Sequence, residues 1–167
     1  MVSLEKAFPL YLDVLDGKAK PKFRKNKASL EKKIDLALVM LEDCELCERT
    51  CGVNRTDGEK GYCHAGDKIS ISGRYVGRNN DLESLTPSYD VFFLGCVLKC
   101  VFCQNPDTSQ VIEPREGITE KHLAKIIDSR LSPKIVNFVG GDPLPQLPFV
   151  LKTLNHIQKD IPIMWNS

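Results

Sequence analysis

Gly95-Cys96-Val97-Leu98-Lys99-Cys100-Val101-Phe102-Cys103-Gln104-Asn105 sets three thiols at the spacing C-x3-C-x2-C, directly after the apolar run Val91-Phe92-Phe93-Leu94. Thiolates are soft ligands that suit iron–sulfur clusters and zinc. Three in one short loop can converge on a single cluster, and no fourth cysteine lies nearby. A four-iron cluster held at only three corners keeps one iron open to an exogenous ligand.

Working outward, the chain has seven cysteines in all, four of them upstream: Cys44, Cys47, Cys51 and Cys63, spaced C-x2-C-x3-C-x11-C. Four thiolates saturate a tetrahedral zinc or a four-iron cluster, so this second set reads as a closed site, with zinc and [4Fe-4S] both open. His64, beside a sufficient set of four, reads as a surface histidine. The start, Met1-Val2-Ser3-Leu4-Glu5, lacks the basic-then-apolar pattern of a signal peptide, and no apolar run is long enough to span a membrane. A cytoplasmic protein is expected, in which cysteines ligate metal rather than form disulfides.

The 167 residues suffice for one ordinary domain or two small ones. Apolar content of 42% with 27% charged residues excludes a disordered chain, and a net charge of +1 argues against a nucleic-acid partner. Residues 1–43 read as helical and polar. Lys18 to Lys33 holds eight basic residues against Glu31 alone, which reads as a solvated arm between helices. Ser29 is the expected cap of a helix with Leu30, Ile34, Leu38 and Leu41 on one face, ending at Cys44. From Ile69 the alternation Ile-Ser-Ile-Ser suggests a short strand. Asn79 to Pro87 reads as a linker, with a boundary near residue 85 between a helical, cysteine-rich region, 1–85, and a second region, 86–167.

After the boundary, three apolar strands are expected at Val91 to Leu94, Ile135 to Val139 and Ile161 to Trp165. Between them lie a helix capped by Thr119 and running to about Ser129, and another with Leu147, Val150, Leu151, Leu154 and Ile157 on one stripe. Strands separated by helices imply parallel pairing. Both the cysteine loop and Gly140-Gly141 then fall at carboxyl ends of strands, where α/β sheets bind ligands.

Cys96, Cys100, Phe102 and Cys103 match C-x3-C-x-aromatic-C, and in this the chain resembles the radical S-adenosylmethionine (SAM) superfamily. Gly140-Gly141-Asp142-Pro143 resembles its second motif, Gly-Gly-Glu-Pro, with Asp for Glu. The segment Cys44 to Cys63, with Cys51-Gly-Val-Asn-Arg55, is similar to the amino-terminal cysteine block of proteins like pyruvate formate-lyase activating enzyme. The resemblance implies an α/β fold, the amino-terminal half of a partial (β/α)6 barrel behind a small metal-binding cysteine segment, so the chain looks truncated. It implies a [4Fe-4S] cluster on Cys96, Cys100 and Cys103, with SAM chelating the open iron. Phe102 would pack near the adenine, and Gly140, Gly141, Asp142 and Pro143 would receive the SAM amino group. The activity implied is reductive cleavage of SAM to a 5′-deoxyadenosyl radical, driven by a one-electron reductant such as flavodoxin or ferredoxin. A glycyl radical protein, an unknown small substrate or the missing half of the domain are the implied partners. The alternative is a non-catalytic iron–sulfur or zinc-binding fragment.

Overall fold

The computed structural model describes residues 9–78, 85–110 and 117–167; most of the expected linker, residues 79–84, and residues 1–8 lie outside them. In chain order the helices and strands are α1 (Pro9–Leu15), α2 (Lys22–Lys25), α3 (Lys27–Val39), β1 (Ile71–Gly77), β2 (Ser88–Phe93), α4 (Pro106–Ser109), α5 (Glu120–Ser129), β3 (Ile135–Gly140), α6 (Leu147–His156) and β4 (Ile163–Trp165). The fold is mixed α/β, around one four-stranded sheet in the order β1-β2-β3-β4. β2, β3 and β4 run parallel, while β1 pairs antiparallel on β2. The sheet therefore takes its first strand from the cysteine-rich region and the other three from the second.

Helix α3 departs from its expected start. It begins at Lys27, capped by Asn26 without a side-chain hydrogen bond, so Ser29 lies inside the first turn. Lys27 and Ala28 are good helix formers and carry the helix back past the expected cap. It also ends at Val39 rather than at Cys44. Beyond that point Leu41 N donates to Leu38 O and Glu42 N to Val39 O, the tighter spacing that closes a helix. Leu30, Ile34, Ala37 and Leu41 are buried on its inner side.

β2 starts three residues before its apolar run, because Asp90 is satisfied within the sheet: Ser88 Oγ donates to it at 2.8 Å and Asn137 Nδ2 at 3.0 Å. Thr119 caps α5 as expected, accepting from His122 N at 3.2 Å, a contact worth about 1 kcal/mol. Helix α6 is rotated relative to its expected stripe: Phe149, Val150, Thr153 and Ile157 are buried, while Leu147, Leu151 and Leu154 are only half-buried. Thr153 can face the core because its hydroxyl donates to Phe149 O at 2.9 Å. β4 begins at Ile163 and lies at the sheet's edge; the preceding Pro162 has no N–H to give to a ladder.

The core lies on one face of the sheet. Tyr89, Val91, Phe93, Val136 and Phe138 meet Leu41 beyond α3, Leu123, Ala124 and Ile127 of α5, and Phe149 and Val150 of α6. Each fully buried Leu, Ile or Phe contributes about 1.5–3 kcal/mol by leaving water. Arg24 leaves the expected solvated arm to dock on the loop after α6, its Nε 3.3 Å from Asp160 Oδ1 and its Nη1 3.2 Å from Gln158 Oε1.

Candidate metal centre

β2 delivers the three-cysteine loop from the middle of the sheet. The chain turns at Gly95, with φ 90°, and Gly95 N donates to Thr108 O at 2.9 Å, closing the loop on α4. Two sulfurs receive donors: Leu98 N reaches Cys96 Sγ at 3.3 Å and Asn105 N reaches Cys103 Sγ at 3.4 Å. Ser109 Oγ lies 3.1 Å from Cys103 Sγ as well. Hydrogen bonds to cysteine sulfurs are among the features that tune the potential of a bound cluster. Cys96 is buried and Cys100 and Cys103 half-buried, but Leu98, Val101 and Phe102 between them face solvent, Phe102 with 82% of its surface exposed.

The second motif is fastened to the first through main chain. Gly141 N donates to Phe93 O at 3.0 Å and Asp142 N to Gly95 O at 2.9 Å. A Cβ on Gly141 would collide with the Gly95 carbonyl oxygen, and one on Gly140, at φ 122°, with the Phe93 backbone. The missing side chains thus answer first to the neighbouring strand. Asp142, 2% exposed, spends its carboxylate locally: Oδ1 accepts from Leu144 N at 2.7 Å, and the Ser167 hydroxyl lies 3.2 Å from both oxygens. Pro143, buried, leads into the short 3-10 turn Leu144–Gln146.

Cys44, Cys47, Cys51 and Cys63 line a single small pocket with Val53, Gly61 and Val97. Its wall includes Arg55, only 1% exposed. Arg55 Nε donates to Gly66 O at 3.0 Å, Nη2 to Pro145 O at 3.0 Å, and Nη1 points to Cys44 Sγ at 3.9 Å. Burial pushes the Cys63 thiol above its ordinary range, while the Ala65 backbone donor and Arg55 pull it back. Among the described residues no three His, Cys, Asp or Glu side chains are drawn together tightly enough to close on an ion. The pocket gathers four thiols without forming a finished cage, and its donor set of four soft sulfurs fits zinc or a cluster. His64 is exposed and does not line it.

Sequence reasoning missed the residues that join the two sets. Arg49 Nε donates to Val97 O, inside the three-cysteine loop, at 3.1 Å. The Tyr62 ring lies under the Arg49 guanidinium at 3.9 Å and the Lys99 ammonium at 4.1 Å. An aromatic residue next to a cysteine, with basic residues in both cysteine segments, was the available signal. A separate cleft of about 510 Å³, between β1 and the start of α5, holds none of the cysteines.

Residues 88–167 match the family model of the 4Fe-4S single cluster domain. Over 146 residues the chain is 42% identical to an uncharacterized protein of Methanocaldococcus jannaschii, covering 83% of this chain and 42% of that protein. Over 77 residues it is 34% identical to the pyruvate formate-lyase-activating enzyme of Staphylococcus aureus, covering 43% of this chain and 31% of the enzyme. The chain thus spans less than half the length of these curated relatives. No solved structure matches it. Together these findings support an iron–sulfur protein. More particularly, a 77-residue stretch of it is similar to a pyruvate formate-lyase-activating enzyme.

Proposed function

We propose that this chain is part of a radical SAM enzyme of the activating-enzyme type. Cys96, Cys100 and Cys103 would hold a [4Fe-4S] cluster with one iron left for SAM. The observation that carries this reading is the three-thiol loop at the end of β2, with backbone donors on two of its sulfurs and no fourth thiol. When bound, cluster and SAM supply one-electron cleavage to a 5′-deoxyadenosyl radical that abstracts hydrogen. This chain's own residues position the reactants. Leu98 N and Asn105 N hold the Cys96 and Cys103 sulfurs in place, and the backbone ties from Gly141 and Asp142 keep the second motif against the loop. In this reading the Gly140–Asp142 turn receives the SAM amino group through backbone groups, since the Asp142 carboxylate already serves Leu144. Phe102 and Val101, exposed at the loop, would be covered by SAM or by the rest of a barrel.

Cys44, Cys47, Cys51 and Cys63 would form a closed zinc or [4Fe-4S] site. A flavodoxin- or ferredoxin-like reductant, and a glycyl radical protein or small substrate, complete the reading. Among the described residues no helix is long and apolar enough to cross a membrane. The test is cluster reconstitution followed by electron paramagnetic resonance of the reduced protein with and without SAM. A SAM-dependent change in the resonance is expected. An unchanged resonance in fully loaded protein would favour the non-catalytic fragment.

A further inference from the structure

One amide group stands between the two cysteine segments. Val97 follows Cys96 in the chain and also lines the pocket of the four upstream thiols. Its carbonyl accepts from Arg49 Nε at 3.1 Å, and the N–H of the same amide, on Leu98, donates to Cys96 Sγ at 3.3 Å. This peptide is trans, so its C=O and N–H point in opposite directions, and the guanidinium and the sulfur take opposite edges of one planar unit. A charged donor on the carbonyl polarises the amide, and hydrogen bonds in series strengthen one another by roughly 10–30%. The charge of Arg49 is thereby felt at the Cys96 sulfur.

The upstream segment holds Arg49 in this position. It lies between Cys47 and Cys51, and its guanidinium is 3.9 Å from the centre of the Tyr62 ring, one residue before Cys63. Lys99, one residue before Cys100, brings its ammonium to 4.1 Å from the same ring. It does so from a left-handed backbone, φ 52°, that a lysine rarely adopts. Among the described residues neither cation has a carboxylate partner. Two such cations therefore meet on one ring beside the three-cysteine loop, where reduction of a cluster would add negative charge.

We propose that Arg49 sets the reduction potential of a cluster on Cys96, Cys100 and Cys103, acting from the upstream segment through the Val97–Leu98 amide. Arg49 is a positioning residue, since it reaches Cys96 only through that amide. Reduction adds one negative charge, and both the guanidinium and the strengthened N–H to sulfur bond favour the reduced state. Arg49 thus raises the potential and eases transfer from a one-electron reductant. That such a cluster exists rests on the reading given under Proposed function.

The test is a redox titration of the iron-loaded chain followed by electron paramagnetic resonance. The signal missing from a Cys96→Ala, Cys100→Ala, Cys103→Ala variant marks the cluster concerned. Arg49→Met keeps an apolar stem over Tyr62 and removes both charge and donor. It should weaken the electron affinity of that cluster about tenfold, a potential lower by about 60 mV for one electron. Arg49→Lys keeps the charge without the planar donor, and a weakening of about threefold is expected. A merely structural role would lower the amount of cluster and leave the potential of what loads unchanged. Should Arg49→Met fail to fold by circular dichroism, Arg49→Lys decides instead. In the metal-free chain the Leu98 amide proton, followed by nuclear magnetic resonance, should move upfield in the same order. An unchanged or raised potential in the loaded variants, or a Leu98 amide that ignores Arg49, would overturn the relay. A SAM-responsive cluster whose potential ignores Arg49 overturns the relay alone, and one that shifts with Arg49 but ignores SAM overturns the radical reading alone. A chain that takes up no iron on Cys96, Cys100 and Cys103 overturns both.

Discussion

The two cysteine segments contain the same chemistry in opposite settings. Cys44, Cys47, Cys51 and Cys63 are wrapped around a buried guanidinium, with Arg55 reaching across to the carbonyl of Pro145. The loop of Cys96, Cys100 and Cys103 is instead fastened at its base and bare at its tip, where Val101 and Phe102 face solvent. The difference teaches that thiol count and spacing alone do not describe a cysteine set. What separates the two sets is where the chain spends its remaining hydrogen bonds: around the first set they close the wall, and around the second they hold sulfurs and leave the approach free.

The largest effect that tests this contrast is all-or-none. A Cys96→Ala, Cys100→Ala, Cys103→Ala variant should lose the whole of the SAM-responsive iron yet keep the metal of the upstream set, measured by elemental analysis; loss of both would merge the two sites into one. Next, Arg55→Met should destabilise the chain by about 3–5 kcal/mol in urea titration, because the Gly66 and Pro145 carbonyls lose their donor in a buried place. A cost under about 1 kcal/mol would show that the wrapped segment does not depend on its guanidinium.

Smaller is Gly141→Ala, at about 2–4 kcal/mol, since the added methyl strikes main chain that cannot step aside. Gly73→Ala in the same sheet, where a Cβ meets nothing within 4 Å, should stay within about 0.5 kcal/mol. Equal costs for the two would sever the second motif from the loop. Tyr62→Ala removes two cation–π contacts, of which the one to Lys99 crosses between the segments, an expected loss of about 1–2 kcal/mol. The smallest effect is a pH dependence of the metal-free chain. Burial raises the Cys63 thiol, so the folded state prefers the neutral form. That contribution is present below the unfolded value of about 8.5 and is lost as pH rises through the higher folded one. Thermal melts should therefore fall in alkali, and a Cys63→Ala variant should show a shallower fall.

Much of this was legible because it is local. The cysteine spacings, the Thr119 cap and the strand-then-loop order are short-range patterns, and the parallel strands follow from them. The stripe of α6 was misplaced because a hydroxyl that bonds its own helix, as Thr153 does, counts as apolar in a core. Arg55 and the Asp90–Asn137 pair were invisible for another reason: their partners lie 90 and 47 residues away. A charged residue in a short sequence window is indistinguishable from a solvated one. Likewise the double glycine was readable as a close approach, but not that Phe93 and Gly95 are what approach it.

The span of the Arg55–Pro145 contact also sets an order of events. As the polypeptide is made, the four upstream cysteines are in place while the carbonyl that receives Arg55, 90 residues beyond that arginine, has still to be added. Until then the pocket has no finished wall, and its thiols remain open to exchange. Long-range pairing closes late in folding, so the pocket of the four upstream thiols is among the first parts of the chain to be made and among the last to be sealed.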